Sequence, residues 1–564
     1  MSDLVVGIDL GTSNSVLTVS LEGEPIVIPD QEGHRIHPSM VYFREDGRTV
    51  VGNRAKDFRV EDPAHTVFSA KRLIGRPYDD PDVKLLMGSF PFPIVEGKDG
   101  SPRFHIYDQL HPPEGISGRI LHYLKGLAEE YLGEEINEAI ITVPANFDEG
   151  QRRATKRAAD LAGLEVLRLI NEPTAAALAY GYGHAKREKV AIYDFGGGTF
   201  DITILELRGD IFEVLSTAGN SYLGGDDFDN QLVEAMLNAF ERQYGYDLSG
   251  EVAVRQRLKA VAEDVKHKLS SREQVTVEVT EYVPGSLTEL DLEFALDREA
   301  FNRRCMDIVD QTLETCEEAL QVAGLQTAEI DHLVLVGGST RVPLVKQKVS
   351  EFFNREPVVD INPDEVVSIG AAIFGASLVE DRQAPEQDEW ADTQREAVVQ
   401  ADESAAVDAQ IDDDDSWIDE VQAEERTQQM QKPVLIDVTP HALGVATVGG
   451  VMDIIIERNG SLPLERSRYF STSRDDQTRV ILPIYAGNSR RIEDNRQLGT
   501  LELTDIPPGP REEVQIEVTF EVDTDGMVSV RATDMRTGMN QFARLSITGE
   551  TDVDEEYDAT DLLM

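Results

Sequence analysis

Residues 191–205 run from one apolar segment through an acid and three successive glycines into a second apolar segment. They read Ala-Ile-Tyr-Asp-Phe-Gly-Gly-Gly-Thr-Phe-Asp-Ile-Thr-Ile-Leu. A tight hairpin needs only one or two special turn residues, so three glycines indicate that something approaches the backbone closely. The segment from Val5 to Asn14 repeats the order of apolar run, acid, glycine and hydroxyl, and Leu335 to Arg341 is a third apolar run followed by glycines. Three such turns predict a fold in which strand ends surround an anion.

The chain divides into regions that differ in composition and in hydrophobic pattern. Up to about residue 380, β-rich runs alternate with helical segments, which predicts an α/β domain over residues 1–380. The predicted strands are Leu4–Leu10, Ile140–Pro144, Val190–Tyr193 and Leu333–Val336, and the helices include Glu149–Ala162 and Arg255–Leu269. Because the chain has 564 residues, more than one domain is expected.

Residues 381–431 are dominated by acids, including Asp412–Asp415, and are predicted to be a disordered acidic spacer, with an amphipathic helix around Trp417 as the alternative. Residues 432–438 read as an interdomain linker. From residue 439 to 549, short alternating runs and turn signals predict an all-β domain. The runs are Met452–Glu457, Val480–Tyr485, Val514–Val522 and Met527–Ala532. Residues 550–564 form a short acidic tail.

Composition excludes several classes of function. A net charge of −52 argues against nucleic acid and anionic membranes as partners. Two cysteines, Cys305 and Cys316, do not make a disulfide framework and are predicted to be reduced thiols. The N-terminus does not read as a secretion signal, and no apolar run is long enough to span a bilayer. The expected location is therefore the cytoplasm.

The glycine turns suit a phosphate ligand, because backbone N–H groups can converge on it where no Cβ intervenes. The hydroxyls of Thr12, Ser13 and Thr199 can add donors. Phosphates bring Mg²⁺, which prefers oxygen ligands and keeps several waters, and Asp9 and Asp194 stand at the strand ends beside these turns. The P-loop and dinucleotide fingerprints are absent, so the predicted site is of another kind.

Eight stretches together resemble the 70-kDa heat-shock protein (DnaK-like) chaperones, whose ATPase domain has the actin fold. They are Gly7-Ile-Asp-Leu-Gly-Thr-Ser-Asn-Ser15, Ala70-Lys-Arg-Leu-Ile-Gly-Arg76, Val143-Pro-Ala-Asn-Phe147, Ile170-Asn-Glu-Pro-Thr-Ala-Ala-Ala-Leu-Ala-Tyr-Gly181, the segment 191–205, Gly224-Gly-Asp-Asp-Phe-Asp229, Val336-Gly-Gly-Ser-Thr-Arg341 and Leu435-Ile-Asp-Val-Thr-Pro440. The resemblance implies a multidomain chain, with an α/β actin-like ATPase domain followed by a β-sandwich that binds peptides.

The resemblance implies a site for ATP or ADP with Mg²⁺ between two related halves. The residues implied for the phosphates are Thr12, Ser13, Gly196, Gly197, Gly198 and Thr199, and Asp9 and Asp194 are implied for Mg²⁺ through water. Those implied for hydrolysis are Lys71, Glu172, Thr199 and Asp201. Those implied for the rest of the nucleotide are Glu263, Lys266, His267, Ser270, Gly338, Ser339, Arg341 and Asp364. The pattern alone leaves Lys71 open as a surface lysine and Glu172 as a first-turn helix acid. His267 departs from the arginine or aliphatic residue that the family often has.

The peptide channel implied by the resemblance is lined by apolar residues of the β-domain. The matching positions are Val445, Val448, Phe470, Ser473, Val480, Leu482 and Ile516, with Val448 and Ser473 arching over the peptide. By pattern alone each could equally be sandwich core, since strand residues alternate faces. The helical lid of the family is missing from the sequence, so bound peptide is expected to leave quickly.

Communication between the domains is implied to involve Pro144, Arg152 and the linker residues Val434, Leu435, Ile436 and Asp437. Pro433 interrupts a linker that is usually an unbroken apolar run, and it removes a backbone N–H. The sequence therefore predicts weak coupling, of about 1 kcal/mol or less between nucleotide and peptide.

The function predicted from the sequence is an ATP-dependent chaperone that binds unfolded clients, with a J-domain protein and a nucleotide exchange factor as implied partners. Two alternatives are a nucleotide-gated scaffold that hardly hydrolyses ATP and a small-molecule kinase on the same fold. An actin-like filament is disfavoured because the charge opposes self-association.

Overall fold

The computed structural model describes residues 4–181, 186–283, 285–358, 361–383, 432–447, 449–542 and 544–545. Within them an α/β domain precedes a β-rich region, as the sequence predicts. The segment from 384 to 431, Val448 and the tail from 546 onward lie outside the described residues.

The described helices all belong to the first domain. They are α1 (Asn53–Lys56), α2 (Phe58–Glu61), α3 (Pro81–Met87), α4 (Pro113–Leu132), α5 (Glu149–Leu161), α6 (Glu172–Gly181), α7 (Gly225–Tyr244), α8 (Val252–Ser271), α9 (Arg298–Ala323), α10 (Pro343–Phe353) and α11 (Val366–Gln383). The predicted helices match α5 and α8, and α11 continues beyond the predicted domain boundary at 380. No helix in these ranges combines the length and apolar character needed to cross a bilayer.

Strands of the first domain form two main sheets and smaller ones. They are β1 (Val5–Leu10), β2 (Asn14–Leu21), β3 (Glu24–Val27), β4 (His37–Pro38), β5 (Met40–Phe43), β6 (Thr49–Val51), β7 (Thr66–Phe68), β8 (Ile94–Glu96), β9 (Pro102–Ile106), β10 (Gln109–His111), β11 (Glu138–Val143), β12 (Glu165–Asn171), β13 (Arg187–Phe195), β14 (Phe200–Arg208), β15 (Ile211–Asn220), β16 (Gln274–Tyr282), β17 (Glu289–Asp297) and β18 (His332–Val336).

The two main sheets of this domain repeat one arrangement, which is that of the actin-like fold. In the first lobe the order is β12-β11-β1-β2-β3, with β1 parallel to β11 and antiparallel to β2. In the second lobe β13 is parallel to β18 and antiparallel to β14. Asp9 and Asp194 therefore stand at equivalent strand ends, and the glycine turns that follow them open toward the same cleft.

Helices α6 and α11 pack closely where the two lobes meet. A Cβ added at Gly370 would lie 1.8 Å from the carbonyl oxygen of Ala175, so only a glycine fits this approach. Ala175, Ala177 and Ala371 are fully buried in the same cluster. The alanine run after Glu172 is thus explained by close helix packing.

The C-terminal region is a β-sandwich. Its strands, with the linker strand first, are β19 (Val434–Ile436), β20 (Leu443–Thr447), β21 (Val451–Ile456), β22 (Leu464–Ser471), β23 (Val480–Ala486), β24 (Arg496–Leu503), β25 (Gln515–Val522), β26 (Val528–Asp534), β27 (Asn540–Phe542) and β28 (Arg544–Leu545). One sheet has the order β21-β20-β23-β24-β28 and the other β22-β25-β26-β27. Among the described residues after Lys432 there is no α-helix.

The linker is part of a main sheet of the first domain. Strand β19 pairs in parallel with β15, and the N–H of Val434 donates to the carbonyl oxygen of Asp210 at 2.8 Å. Leu435 and Val438 pack in the cluster between the lobes. Pro433 precedes the first paired residue, so its missing N–H interrupts no described ladder bond. The weak coupling predicted from the linker stays a prediction.

Candidate functional site

The glycine turn that follows Asp9 and the one that follows Asp194 contact each other across the cleft. A Cβ added at Gly197 would lie 2.0 Å from Oγ of Ser13, and one at Gly224 would lie 2.5 Å from the backbone of Gly197. Glycines are therefore required here by the meeting of the loops as well as by any ligand that approaches their N–H groups. The order of acid, glycine and hydroxyl in the sequence follows from this contact.

Four acids converge behind the turns. Asp194 and Asp201 are opposite each other in the β13–β14 ladder, and Glu172 begins α6. Thr142 donates a hydrogen bond of 3.2 Å to Oδ1 of Asp9. Burial raises the pKa of Asp9, Asp194 and Asp201, and the negative charge of Glu172 raises each further. The cluster strongly favours cationic or proton-bearing partners.

Lys71 supplies one such cation. Its Nζ lies 2.7 Å from Oε1 of Glu172 and donates to the carbonyl oxygen of Leu10 at 2.6 Å. The side chain is only 7% exposed, which excludes the surface lysine that the pattern alone left open. Glu172 is both the first residue of its helix and the partner of this lysine, so its two interpretations hold together.

Asp201 differs from the other three acids because both of its carboxylate oxygens are fully buried without a hydrogen-bond donor among the described residues. A buried carboxylate without a donor costs several kcal/mol in principle, so it marks a place where a water or ion belongs.

The wall opposite the turns encloses a cavity of about 340 Å³ between the lobes. Its lining includes all eight residues implied for the rest of the nucleotide and three of those implied for the phosphates. The eight are Glu263, Lys266, His267, Ser270, Gly338, Ser339, Arg341 and Asp364, and the three are Thr12, Ser13 and Gly197. An adjoining cavity is lined by Asp9, Lys71, Glu172, Asp194, Gly196 and Thr199, among others. The fold thus assembles the predicted set from distant parts of the chain.

Ion pairs hold the walls of this cavity in place. Lys266 contacts Asp229 at 2.8 Å, and Arg341 Nε donates to Asp364 at 2.8 Å. Ser339 Oγ donates to the carbonyl oxygen of Gly196 at 2.7 Å. Burial lowers the pKa of His267, and the neighbouring Lys266 lowers it further, so the ring presents a neutral surface to the cavity near neutral pH.

Two predicted residues do not line either cavity. Asp201 lies behind the turn, and Gly198 is covered by Arg72, whose Nη2 donates to the Gly198 carbonyl oxygen at 2.8 Å. Arg72 also approaches Asp226 at 3.5 Å, and Arg59 pairs with Glu263 at 2.9 Å across the cleft.

Sequence reasoning did not assign Arg59 and Arg72 to the site. The position of Arg72 directly after Lys71 in the quoted stretch 70–76 was a signal for it, whereas no local pattern marked Arg59.

The peptide-channel residues divide into two groups. Val445 and Ile516 have no exposed surface and belong to the sandwich core, as the alternative interpretation allows. Phe470, Val480 and Leu482 pack against this core but remain partly exposed. Ser473 lies in the exposed loop after β22, where its N–H donates to Oε1 of Gln477 at 3.0 Å.

Residues predicted to couple the domains lie close together where the sandwich contacts the first domain. Asn171 and Thr174 donate to Oδ2 of Asp437 at 2.6 and 3.0 Å. Arg152 donates to Asn171 Oδ1 at 2.8 Å and to the carbonyl oxygen of Asp525 at 3.1 Å.

Asp525 stands at the tip of the β25–β26 hairpin and also contacts Lys156 at 2.6 Å and Arg168 at 2.8 Å. Pro144 follows β11, and its carbonyl oxygen accepts the N–H of Phe147 at 3.1 Å. Arg152 Nε donates to the Phe147 carbonyl oxygen, so the turn after β11 and the sandwich share one arginine.

The residues fit a nucleotide with Mg²⁺. The glycines of the turns leave no room for side chains, and the buried carboxylate of Asp201 needs a hydrogen-bond donor. The four acids carry more negative charge than Lys71 alone can balance. Within the described ranges no group of three or more His, Cys, Asp or Glu side chains is placed to hold a metal ion directly.

One comparison with known proteins covers nearly the whole chain. A protein-family model described as "Hsp70 protein" matches residues 5–387 and 391–560. The match includes both domains and the linker, and therefore the site residues of each.

Proposed function

Because this chain belongs to the Hsp70 family, whose members are ATPases and ATP-dependent chaperones, we propose that it hydrolyses Mg-ATP slowly and that the nucleotide state controls its affinity for exposed apolar segments of unfolded polypeptides. J-domain and nucleotide-exchange partners are part of this proposal. The observation that carries it is the partnerless buried carboxylate of Asp201 beside the Lys71–Glu172 pair.

The nucleotide would supply the transferable phosphoryl group, and Mg²⁺ the charge that neutralises it. Backbone N–H groups and hydroxyls of the two turns would hold the phosphates, through Thr12, Ser13, Gly196, Gly197 and Thr199. Asp9 and Asp194 would hold the ion's waters. Glu263, Lys266, Ser270 and Arg341 would enclose the opposite end.

Lys71 is suited to stabilise negative charge that grows during hydrolysis. Its ammonium group is fixed by the Leu10 carbonyl and by Glu172, so it needs no reorganisation when the charge develops. Asp201 is suited to orient a water and to accept its proton, because burial raises the pKa of this carboxylate and no other donor occupies it.

A continuous set of contacts supports control of peptide affinity by the nucleotide site. Thr142 of β11 bonds Asp9, and Lys71 lies 5.5 Å from the ring centre of Phe147. The turn that contains Phe147 is bonded to Arg152, which contacts the Asp525 hairpin of the sandwich. A change in the position of β11 or of Lys71 would therefore reach the sandwich through this arginine.

The test is ATP turnover by the purified chain with and without Mg²⁺. Lys71→Ala is expected to reduce turnover by about a hundredfold or more while nucleotide still binds, because a preorganised charge is lost. Lys348→Ala is the control, since Lys348 is a partly exposed residue of α10 whose ion pair among the described residues is with Glu351 at 3.0 Å. Unchanged turnover in Lys71→Ala would contradict the proposed role.

Chaperone function is tested separately by titrating a labelled apolar peptide in the presence of ATP and of ADP. Affinity that differs between the two nucleotides supports the proposal. Equal affinity with normal turnover would leave an ATPase that does not regulate peptide binding.

A further inference from the structure

Strand β22 carries two arginines on the face that continues the sandwich core. In the register with β25, Arg466 and Arg468 lie opposite Phe520 and Val518. Opposed residues of antiparallel strands share a face, so both arginines are on the same side as Phe470. They are nevertheless exposed, because β22 is the edge of its sheet and the other sheet does not cover it there.

Two more pairs of arginines border the same region. Arg474 and Arg479 lie within the loop 472–479, which also contains Ser473. Arg490 and Arg491 lie beside the turn at 449–450, since the Arg490 carbonyl oxygen accepts the N–H of Met452 at 2.8 Å. We name Arg466, Arg468, loop 472–479 and Arg490–Arg491 the channel rim. It contains six arginines and two acids, in a chain whose net charge is −52.

Three of these arginines are neutralised by ion pairs with neighbouring carboxylates. The pairs are Arg468 with Asp453, Arg479 with Glu502 and Arg491 with Glu493. Each of these carboxylates is therefore already engaged. The positive charge that remains on the channel rim therefore comes from the other three arginines.

Within the described part of the chain, Arg466, Arg474 and Arg490 have no carboxylate within 4 Å. The guanidinium of Arg466 donates only to the carbonyl oxygen of Glu465. Of the two acids in the rim, Asp475 accepts the N–H of Arg511 at 2.8 Å, and Asp476 is unpaired. The channel rim therefore has three arginines without a carboxylate partner and two acids, Asp475 and Asp476, without an ion pair among the described residues.

Resting on the proposed function, we propose that the channel selects client segments in which an apolar centre is flanked by aspartate or glutamate within about four residues. An extended chain advances about 3.3 Å per residue, so flanking carboxylates reach as far as Arg466 lies from Phe470 along β22. The occupant is a segment of another polypeptide, because the rim offers both partly exposed apolar surface and unpaired cations. The rest of the protein's negative charge opposes this preference only weakly beyond about 10 Å at 0.1 M salt.

The experiment uses the full chain and three fluorescent nine-residue peptides. All share three central leucines, flanked on each side by three glutamates, three lysines or three serines. The glutamate peptide is expected to bind about three- to tenfold more tightly than the lysine peptide at 50 mM salt, with the serine peptide between them. The ratio should fall toward one at 500 mM salt, since exposed charges are screened.

Two variants locate the effect. Arg474→Glu and Arg490→Glu are each expected to lower the glutamate-to-lysine ratio by about threefold, with binding of the serine peptide retained. Arg242→Glu is the matched control, because it makes the same charge change at an exposed position at the end of α7 in the other domain. A ratio that drops equally in this control would overturn the role of the rim.

The outcomes separate this inference from the function on which it rests. If no peptide binds, the proposed peptide binding itself fails. If the serine peptide binds but the lysine peptide binds as tightly as the glutamate peptide, the function stands and the charge preference is overturned. If the glutamate peptide gains its advantage only after deletion of residues 384–431, the occupant is this chain's own acidic segment rather than a client.

Discussion

At the scale of single residues, a buried acid without a hydrogen-bond donor lowers the stability of the fold, and such an acid of the cleft is also a candidate for the hydrolysis step. Asp201 has two buried oxygens without donors among the described residues, whereas Asp229 of α7 accepts a hydrogen bond from Lys266 at 2.9 Å on one oxygen and forms an ion pair with it. The two carboxylates are both buried but differ in whether the protein satisfies them. Replacing each with its neutral amide should therefore have opposite effects on stability.

We expect Asp201→Asn to raise the free energy of unfolding by about 1 kcal/mol or more in the absence of nucleotide, and to reduce ATP turnover at least tenfold. Asp229→Asn is the matched control and should lower stability, because it leaves Lys266 buried without its counter-ion. Urea unfolding and turnover of both variants check this. An Asp201→Asn variant less stable than the native chain would contradict the view that this carboxylate destabilises the fold when no nucleotide is bound.

We expect His441 to make domain docking sensitive to pH. Burial and then the nearby Arg458 lower its pKa to about 4, while the backbone of Asn146 in the ATPase domain acts in the opposite direction. When the domains separate, the ring regains an ordinary pKa near 6.5. Between pH 6.5 and 4 the separated state binds a proton that the docked state does not, so docking weakens as pH falls through this window and is unaffected above it.

At pH 5.5 the expected loss of docking free energy is about 1 kcal/mol relative to pH 7.5. Because other groups titrate in this range, the measurement is the difference between the native chain and His441→Gln. Energy transfer between dyes on cysteines introduced at exposed Tyr246 and Phe542 reports docking, since Cys305 and Cys316 are buried. Identical pH profiles for the two proteins would show that His441 has no part in docking.

At the scale of elements, the β25–β26 hairpin is the main polar contact from the sandwich to α5. Its Asp525 contacts Lys156 and Arg168 through its carboxylate and Arg152 through its carbonyl oxygen. The hairpin is also held by the N–H of Val528, which donates to Glu149 at 2.7 Å. Together with the β15–β19 pairing, these contacts connect the sandwich and the linker to the first domain.

We therefore expect coupling between nucleotide and peptide to depend on the hairpin. Asp525→Ala should remove most of the effect of nucleotide on peptide affinity, because two ion pairs that exist only in the docked arrangement are lost. Peptide titrations with ATP and ADP measure this. Glu521→Ala is the control on the same hairpin, since Glu521 contacts only Ser529, at 3.4 Å. Full coupling in Asp525→Ala would contradict this role.

At the scale of the whole molecule, the nucleotide cleft joins two lobes that few other polar contacts connect near its mouth. Arg59 pairs with Glu263 and Arg72 bonds Gly198 across the opening. A ligand that both lobes bind stabilises the folded domain by mass action. Mg-ADP at a hundred times its Kd should raise the free energy of unfolding by about 2.7 kcal/mol. Urea unfolding measures the shift, and a shift that persists at the same ADP concentration in excess EDTA would contradict the role of the acids in holding Mg²⁺.

The sequence by itself determined the order of domains, the strand-and-turn units and the nucleotide loops. These features are local, because an apolar run, an acid and a glycine turn specify a strand end whatever surrounds it. Most of the implied cleft residues, from Thr12 to Asp364, line the cavities between the lobes for this reason. Residues that are far apart in the sequence could be assigned to one site only through the family resemblance.

Only the tertiary structure decided which side chains have partners and which have none. Asp201 lacks a donor, Lys71 is buried against Glu172, and Val445 is core whereas Phe470 keeps exposed surface. The meeting of Asp437, Arg152 and Asp525 joins residues up to 373 positions apart. Such outcomes depend on how elements pack, and burial and charge pairing are properties of the packed arrangement that no short stretch of sequence contains.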